Sequence, residues 1–431
     1  MSVEKIIIGR NREDAKAFGS KGAVYLGKHI VGEGEESHLT NPVYLDVVRP
    51  HVVLVSGKRG SGKSYSGGVV GEEITLLPKA IRNNLSVLMI DTMGIFWSMK
   101  RPNMKDADML REWKLKPQGM NVKLFVPKGF AAEYEKAGVE VDSTFSLSCG
   151  ELTGQDWIIT FGFTLRDDYG IAIERIIRSL KKRFGNVYSI SDIIKAIEAD
   201  GKTDKKVKNS LVARFSSAEN WGIFQKTGTH IKDIFSRGTV TVVDVSHYAR
   251  TSTDWSVKGL LVGILSRKIF QERLMARKSE EFDVMAGSGK DTIPMVWLIC
   301  DEAHQFLPAK GESAALEPML TLIKEGREPG ISMLLITQMP NKLHQEALAQ
   351  ADIVISHRMT AQADIEALQS VMQTYMMKDM KEYINTLPRQ VGSAIVLDDN
   401  QERIYPIQVK PRMSWHAGGS PTAMKKKGIF D

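Results

Sequence analysis

The chain has 431 residues, 42% hydrophobic and 25% charged, with 58 Lys and Arg against 51 Asp and Glu, a formal net charge of +7. That length and apolar share place it in the soluble globular class with a large core and two or three domains, while the charge is a mild excess that favours an anionic partner without identifying one. Two cysteines, Cys149 and Cys300, exclude a disulfide framework or zinc cluster and read as inert core thiols; no apolar run approaches the roughly 18 residues that span a bilayer, and Met1 to Arg10 lacks a signal peptide's apolar core, so a cytoplasmic location with no membrane association is expected.

In chain order, the first 48 residues hold short β-like runs, Lys5 to Ile8, Ala23 to Val31 and Val43 to Val48, separated by glycine and charged turns, and predict a small N-terminal β module. From His51 onward buried strands alternate with helices. Near-continuous apolar runs at Val52 to Val55, Val87 to Ile90, Val240 to Val245, Met295 to Cys300, Ile331 to Ile336, Ile353 to Ser356 and Ala394 to Leu397 predict a mostly parallel sheet covered on both faces, an α/β core formed by residues 49–150 and 237–412. Residues 151–236 read as an inserted helical subdomain, with Ile173, Ile176, Ile177, Leu180 and Phe184 on one helix face. The polar, glycine-bearing run 276–291 reads as an exposed loop, and residues 413–431 as a basic C-terminal tail. The basic runs Lys181-Lys182-Arg183, Lys202 to Lys208 and Lys425-Lys426-Lys427 read as solvated faces more readily than as nucleic-acid contacts.

Two motifs carry chemistry. Gly57-Lys58-Arg59-Gly60-Ser61-Gly62-Lys63-Ser64 follows the first core strand and precedes a helix that carries Tyr65, Val69, Val70, Ile74 and Leu77 and ends at Pro78. A strand, a glycine-rich turn and a helix N-terminus aim several backbone N–H groups at one point, the cradle of a nucleoside triphosphate such as ATP; Lys63 reaches the β and γ phosphates, and the Ser64 hydroxyl suits Mg²⁺. The second motif, Met295 to His304, ends a buried strand on Asp301-Glu302, where Asp301 would hold the Mg²⁺ shell and Glu302 would polarise the attacking water. Gln338, at the end of the next core strand, is placed to sense the γ phosphate or that water. The letters Asp-Glu-Ala-His also occur in monomeric helicases, but those keep their two motifs much closer together than positions 63 and 301.

With Asn41 to Asp46 leading into Arg49 to Val52, the loop Gly57 to Ser64, Asp301 to Pro308, and the block from Gly326-Arg327 to Gln338-Met339-Pro340, the sequence resembles the HerA family of hexameric DNA translocases, within the FtsK/HerA/VirB4 group of RecA-like motors. The resemblance covers most of the chain. It implies a RecA-like P-loop NTPase core, a homo-oligomer of six subunits with ATP at each interface, and double-stranded DNA in a central channel. It makes Arg327 a finger reaching the γ phosphate of the neighbouring subunit, against the plainer reading of a surface ion pair with Glu325 or Glu328. Lys100, Arg101 and Lys105 become candidate channel contacts, and His304 either couples the nucleotide site to the DNA-facing side or simply packs. The N-terminal β module is short for the family, where a fuller barrel docks the nuclease NurA, and Asp91-Thr92-Met93-Gly94 replaces the usual Asp-Pro-His-Gly, so a nuclease partner is in question. The resemblance leaves three uses open: end processing, repair or defence; genome packaging or conjugative transfer; and an ATP-gated scaffold for an effector.

Overall fold

In the computed structural model the described residues are 4–249, 252–286, 293–371 and 380–419. The strands in chain order are β1 (Ile6–Ile8), β2 (Ala23–Val31), β3 (His38–Asp46), β4 (Val52–Ser56), β5 (Leu85–Asp91), β6 (Val122–Pro127), β7 (Ser143–Phe145), β8 (Leu147–Ser148), β9 (Phe224–Gln225), β10 (Val240–Asp244), β11 (Met295–Cys300), β12 (Ile331–Thr337), β13 (Ile353–His357), β14 (Ser393–Asp398) and β15 (Arg403–Val409). All but β8 and β9 join one sheet of 13 strands in the order β1-β3-β2-β15-β14-β13-β4-β12-β11-β5-β10-β6-β7.

From β13 through β4, β12, β11, β5, β10, β6 and β7 every pairing is parallel. These strands are buried on both faces, which is why they read as continuous apolar runs rather than alternating ones. Along β5, Leu88 and Ile90 enter one core while Val87 and Met89 enter the other, the two-residue period of a strand. The α/β architecture expected from the sequence is thus present.

On the other side of β13 the pairing is antiparallel through β14, β15, β2 and β3. The N-terminal strands therefore extend the main sheet. His29, Lys28 and Gly27 pair with Ile407, Gln408 and Val409, so the expected boundary at residue 48 falls inside a continuous sheet. A buried charge network stitches this seam. Arg10 donates to Asp46 at 2.8 Å, and His51 lies 4.0 Å from Asp46 and 2.6 Å from Asp352. Burial opposes a charge on His51, but the two carboxylates prevail and raise its pKa to about 9.

The helical insert contains helices Gly154–Thr160, Asp168–Phe184, Ile190–Ala199 and Lys205–Glu219, folded around Trp157, Phe161, Phe215 and Trp221. It docks on helix Ser252–Ala286 through a two-point pair from Arg267 to Asp156 (2.9 and 2.8 Å) and through Lys268 to Glu151 (2.6 Å). That helix corrects one sequence expectation, because the run read as a loop from residue 276 is helical through Ala286. Ala, Arg, Lys, Glu and Met are strong helix formers, no glycine intervenes before Gly287, and Arg277 pairs with Glu280 and Glu281 one turn ahead. Residues 287–291 of that run lie outside the described residues.

Both cysteines are buried and free, with thiol pKa values pushed up by burial. Among the described residues no helix is long and apolar enough to cross a membrane.

Candidate nucleotide site

The phosphate loop hangs from the C-terminal end of β4, between β12 and β13. Gly57, Gly60 and Gly62 take φ values of +150°, +76° and +111°, backbone that side-chain-bearing residues rarely adopt. A Cβ on Gly57 would stand 2.6 Å from the Ser61 Oγ and 2.7 Å from the His357 Cβ, so a side chain has no room there. The exposed part of the loop is Lys58-Arg59-Gly60. From Lys63 to Leu76 the chain is helical, and the Lys63 ammonium, only 8% exposed, donates to the Lys58 carbonyl at 3.0 Å. Burial lowers the Lys63 pKa, partly offset by the carboxylates of Glu302 and Asp301.

Asp301 and Glu302 follow β11, two strands from β4. The Ser64 hydroxyl lies 3.3 and 3.2 Å from the two Asp301 carboxylate oxygens, and Asp301 is 2% exposed. A hydroxyl and a carboxylate held together beside a phosphate cradle are the hard oxygen donors Mg²⁺ prefers, with phosphates and water completing the shell. The described residues hold no cluster of three or more His, Cys, Asp or Glu that would cage a metal without substrate. Glu302 adopts left-handed backbone (φ 50°, ψ 45°), and its Oε2 is buried without a hydrogen-bond partner. Burial, reinforced by Asp301, raises its pKa to about 7.

His304 stands beside this acid. Its Nδ1 is 3.0 Å from Thr337 Oγ1 and 3.5 Å from Glu302 Oε2, and burial with nearby Lys342 and Lys63 lowers its pKa to about 4, so the ring is neutral. Thr337 Oγ1 also accepts the Met339 N–H at 3.1 Å. His304 is thus bonded to the end of β12 while its ring stands beside the acid. Gln338 follows Thr337, whose register partner on β4 is Ser56, immediately before Gly57. The structure therefore brings Lys63, Ser64, Asp301, Glu302 and Gln338 to one sheet edge.

Arg327 stands elsewhere. It is exposed in the turn between helix Leu316–Glu325 and the start of β12, so it occupies the opposite edge, about 20 Å away by the length of a seven-residue strand. Among the described residues no ion pair joins it to Glu325 or Glu328. Two of the three channel candidates pair with nearby carboxylates. The Lys100 ammonium is 2.5 Å from Asp142 and Arg101 is 3.8 Å from Glu140.

Several site residues carry no motif in the sequence. His357, at the end of β13 and fully buried, places Nε2 2.9 Å from the Ser66 hydroxyl and Nδ1 3.1 Å from the Ser393 carbonyl. The Arg358 carbonyl accepts the Lys58 N–H at 2.9 Å, and the Gly392 N–H donates to the Ser61 carbonyl at 3.2 Å. The loop is thus gripped from behind by the antiparallel strands. The only sequence signal was a polar residue closing an apolar strand at the catalytic edge. Asp91, which heads the Asp91-Thr92-Met93-Gly94 run noted in the sequence, gains a partner that carries no motif in Asp244, at the end of the neighbouring β10. Asp91 accepts N–H groups from Met93, Gly94, Ile95 and Phe96, and burial beside Asp244 still raises its pKa to about 8.

Comparison with known proteins finds two family models on this chain, described as "Helicase HerA, central domain" over residues 24–265 and "Helicase HerA-like C-terminal" over residues 260–413. A stretch of 172 residues is 24% identical to the DNA double-strand break repair helicase HerA of Pyrococcus furiosus, covering 37% of this chain and 31% of that protein. Over 387 residues it is 22% identical to the probable DNA double-strand break repair helicase HerA of Methanocaldococcus jannaschii, covering 82% of this chain and 71% of that protein. The match thus spans less than a third of the first relative's length. Among solved structures, VirB4 of Thermoanaerobacter pseudethanolicus superimposes with a TM-score of 0.55 at 11% identity, covering 90% of this chain and 97% of that one. The bacterial conjugative coupling protein TrwBdeltaN70 gives 0.51 at 12% identity, covering 93% and 97%. These likenesses establish the fold.

Proposed function

The chain belongs to the HerA helicase family, and from that premise we propose that it hydrolyses ATP to move double-stranded DNA, working as a ring expected to contain six copies. The observation that carries this reading is the division of the site between two sheet edges. Lys63, Ser64, Asp301 and Glu302 form a phosphate cradle at one edge, with the Glu302 Oε2 free of any hydrogen bond, while Arg327 is exposed at the other, where a second copy's nucleotide can meet it.

In this reading the backbone N–H groups of the loop and Lys63 bind the phosphates. Ser64 and Asp301 would hold Mg²⁺, which when bound neutralises phosphate charge. Glu302 takes the proton of the attacking water, its raised pKa suiting that task near neutral pH. Gln338 orients the water or the γ phosphate. The neighbour's Arg327 stabilises the charge that develops. Ordering and loosening of each interface over the cycle would drive the DNA grip, which is sequence-independent if phosphates are its targets. A nuclease partner belongs to the repair or defence use of such a motor.

The test is Mg²⁺-dependent ATP hydrolysis with and without linear duplex DNA, for wild type and Glu302→Gln, alongside mass in solution. Stimulation by DNA in a ring, lost in Glu302→Gln, supports the motor. A ring that hydrolyses ATP without responding to DNA contradicts it and favours the nucleotide-gated scaffold.

A further inference from the structure

The chain beyond β15 was expected to be a free tail from residue 413, yet Lys410 to Ala417 form a strap fixed along the phosphate-loop helix. Glu72, fully buried on that helix, receives the Arg412 guanidinium at 3.0 Å and the N–H groups of Met413 and Ser414 at 3.0 and 3.2 Å. On its other side the strap is held by Ser98, whose hydroxyl donates to the Trp415 carbonyl at 2.9 Å and accepts the Ala417 N–H at 3.2 Å. Burying Glu72 against Arg412 is costly unless the geometry is well satisfied, so this arrangement fixes position more than it adds stability.

What it positions is His416. The ring meets Tyr65 nearly edge-on, centroids 5.3 Å apart at 78°, while the Tyr65 hydroxyl accepts the Arg412 N–H at 2.5 Å and the Arg412 guanidinium stands 5.7 Å from the Tyr65 ring. Tyr65 directly follows Ser64. Each helical step turns about 100°. Ser64 faces Asp301 and Ser66 faces His357, so Tyr65, between them in sequence, points away from the sheet toward the strap. A nucleotide whose phosphates lie on the loop must send its sugar and base off the loop, and on this side it meets a partly exposed Tyr, a His and two glycines, Gly418 and Gly419, without side chains to obstruct a flat ring.

We propose that Tyr65 and His416, set by the Arg412–Glu72 anchor, form the nucleobase subsite for the triphosphate. This deepens the nucleotide-binding part of the function proposed above and rests on it. A neutral imidazole and a phenol ring recognise a base by stacking and edge contacts, and burial keeps His416 uncharged by lowering its pKa to about 4.

The test compares calorimetric binding of a non-hydrolysable ATP analogue with that of inorganic tripolyphosphate, which has phosphates but no base, using the full chain. His416→Ala should weaken the analogue about tenfold and leave tripolyphosphate unchanged, because loss of one base–ring contact costs that order of affinity. His416→Phe, which keeps a ring, should retain the analogue. Equal weakening of both ligands, an unchanged analogue affinity in His416→Ala, or a Phe variant as weak as the Ala variant would each overturn the proposal. Wild type that binds tripolyphosphate as tightly as the analogue would overturn it while leaving the phosphate cradle intact. Wild type that binds neither ligand would overturn the nucleotide reading itself.

Discussion

The two edges of the central sheet differ in how completely their chemistry is satisfied. At the C-terminal edge of β4, β12 and β11 the groups that shape the cradle are bonded, Lys63 to a loop carbonyl, Ser64 to Asp301, and His357 to Ser66 and Ser393, while Glu302 Oε2 is buried without a hydrogen-bond partner. At the N-terminal edge of β12, Arg327 is exposed and forms no ion pair with its acidic neighbours. The loop edge is thus preorganised for phosphate, while the arginine proposed to complete the transition state stands at the far end of β12. Under the proposed reading the catalytic unit is a pair of copies, with the length of β12 as the ruler between its two halves.

The sharpest way to break that comparison is to disable each edge separately. Glu302→Gln and Arg327→Ala should each reduce ATP hydrolysis by roughly a thousandfold, the scale of losing a catalytic carboxylate or an arginine finger. Mixing the two variants should restore a measurable fraction of activity, since some junctions then join an intact Glu302 to an intact Arg327. A steady-state assay of the mixture checks this, and no recovery would mean that both residues act within one chain.

The grip on the loop should matter less. His357→Ala leaves the Ser66 hydroxyl and the Ser393 carbonyl without their buried partner and opens a cavity. It should destabilise the fold by about 2–3 kcal/mol and weaken nucleotide binding while Asp301 and Glu302 stay in place. Denaturant unfolding and nucleotide titration read the two effects separately.

Two smaller effects follow from titration. The His51 pKa is raised from its usual 6.5 to about 9, so the native state holds more protons than the unfolded chain between those values. Its stabilisation is complete below about pH 6.5 and is lost as pH rises through 9. Melting temperature should fall by a few degrees across that window, and Asp352→Asn should flatten the fall. Glu302 behaves as a buried acid whose pKa rises from 4.5 to about 7, so ionising it costs stability as pH climbs between those values. Glu302→Gln should therefore melt above wild type at pH 8 and match it near pH 4.5.

The parallel half of the fold was legible because a strand buried on both faces leaves a continuous apolar run, and β11 carries the bounds read from the sequence. The phosphate loop and Asp301-Glu302 were legible because their spacing is local. The antiparallel half was harder. β15 contains Pro406 and exposes Arg403, and within the parallel half β6 was hidden for a like reason by its exposed Lys123, so neither forms an unbroken apolar run. His357, Gly392 and Arg412 were invisible as site residues because only the folded chain places them beside the loop. The strap differs from its sequence reading for a related reason: polar composition predicts exposure, whereas here Glu72 supplies a buried partner for the Arg412 guanidinium and the Met413 and Ser414 N–H groups.

The position of β4 also governs the order in which the molecule can assemble. The first core strand to be synthesised lies between β12 and β13, and His51 at its start bonds to Ser332, 281 residues away in sequence. During translation β4 must wait for most of the chain to emerge before either neighbour exists. Closing a loop of that length precedes any reward from pairing, so refolding should be slow, and an apolar strand held unpaired for so long is where aggregation would begin.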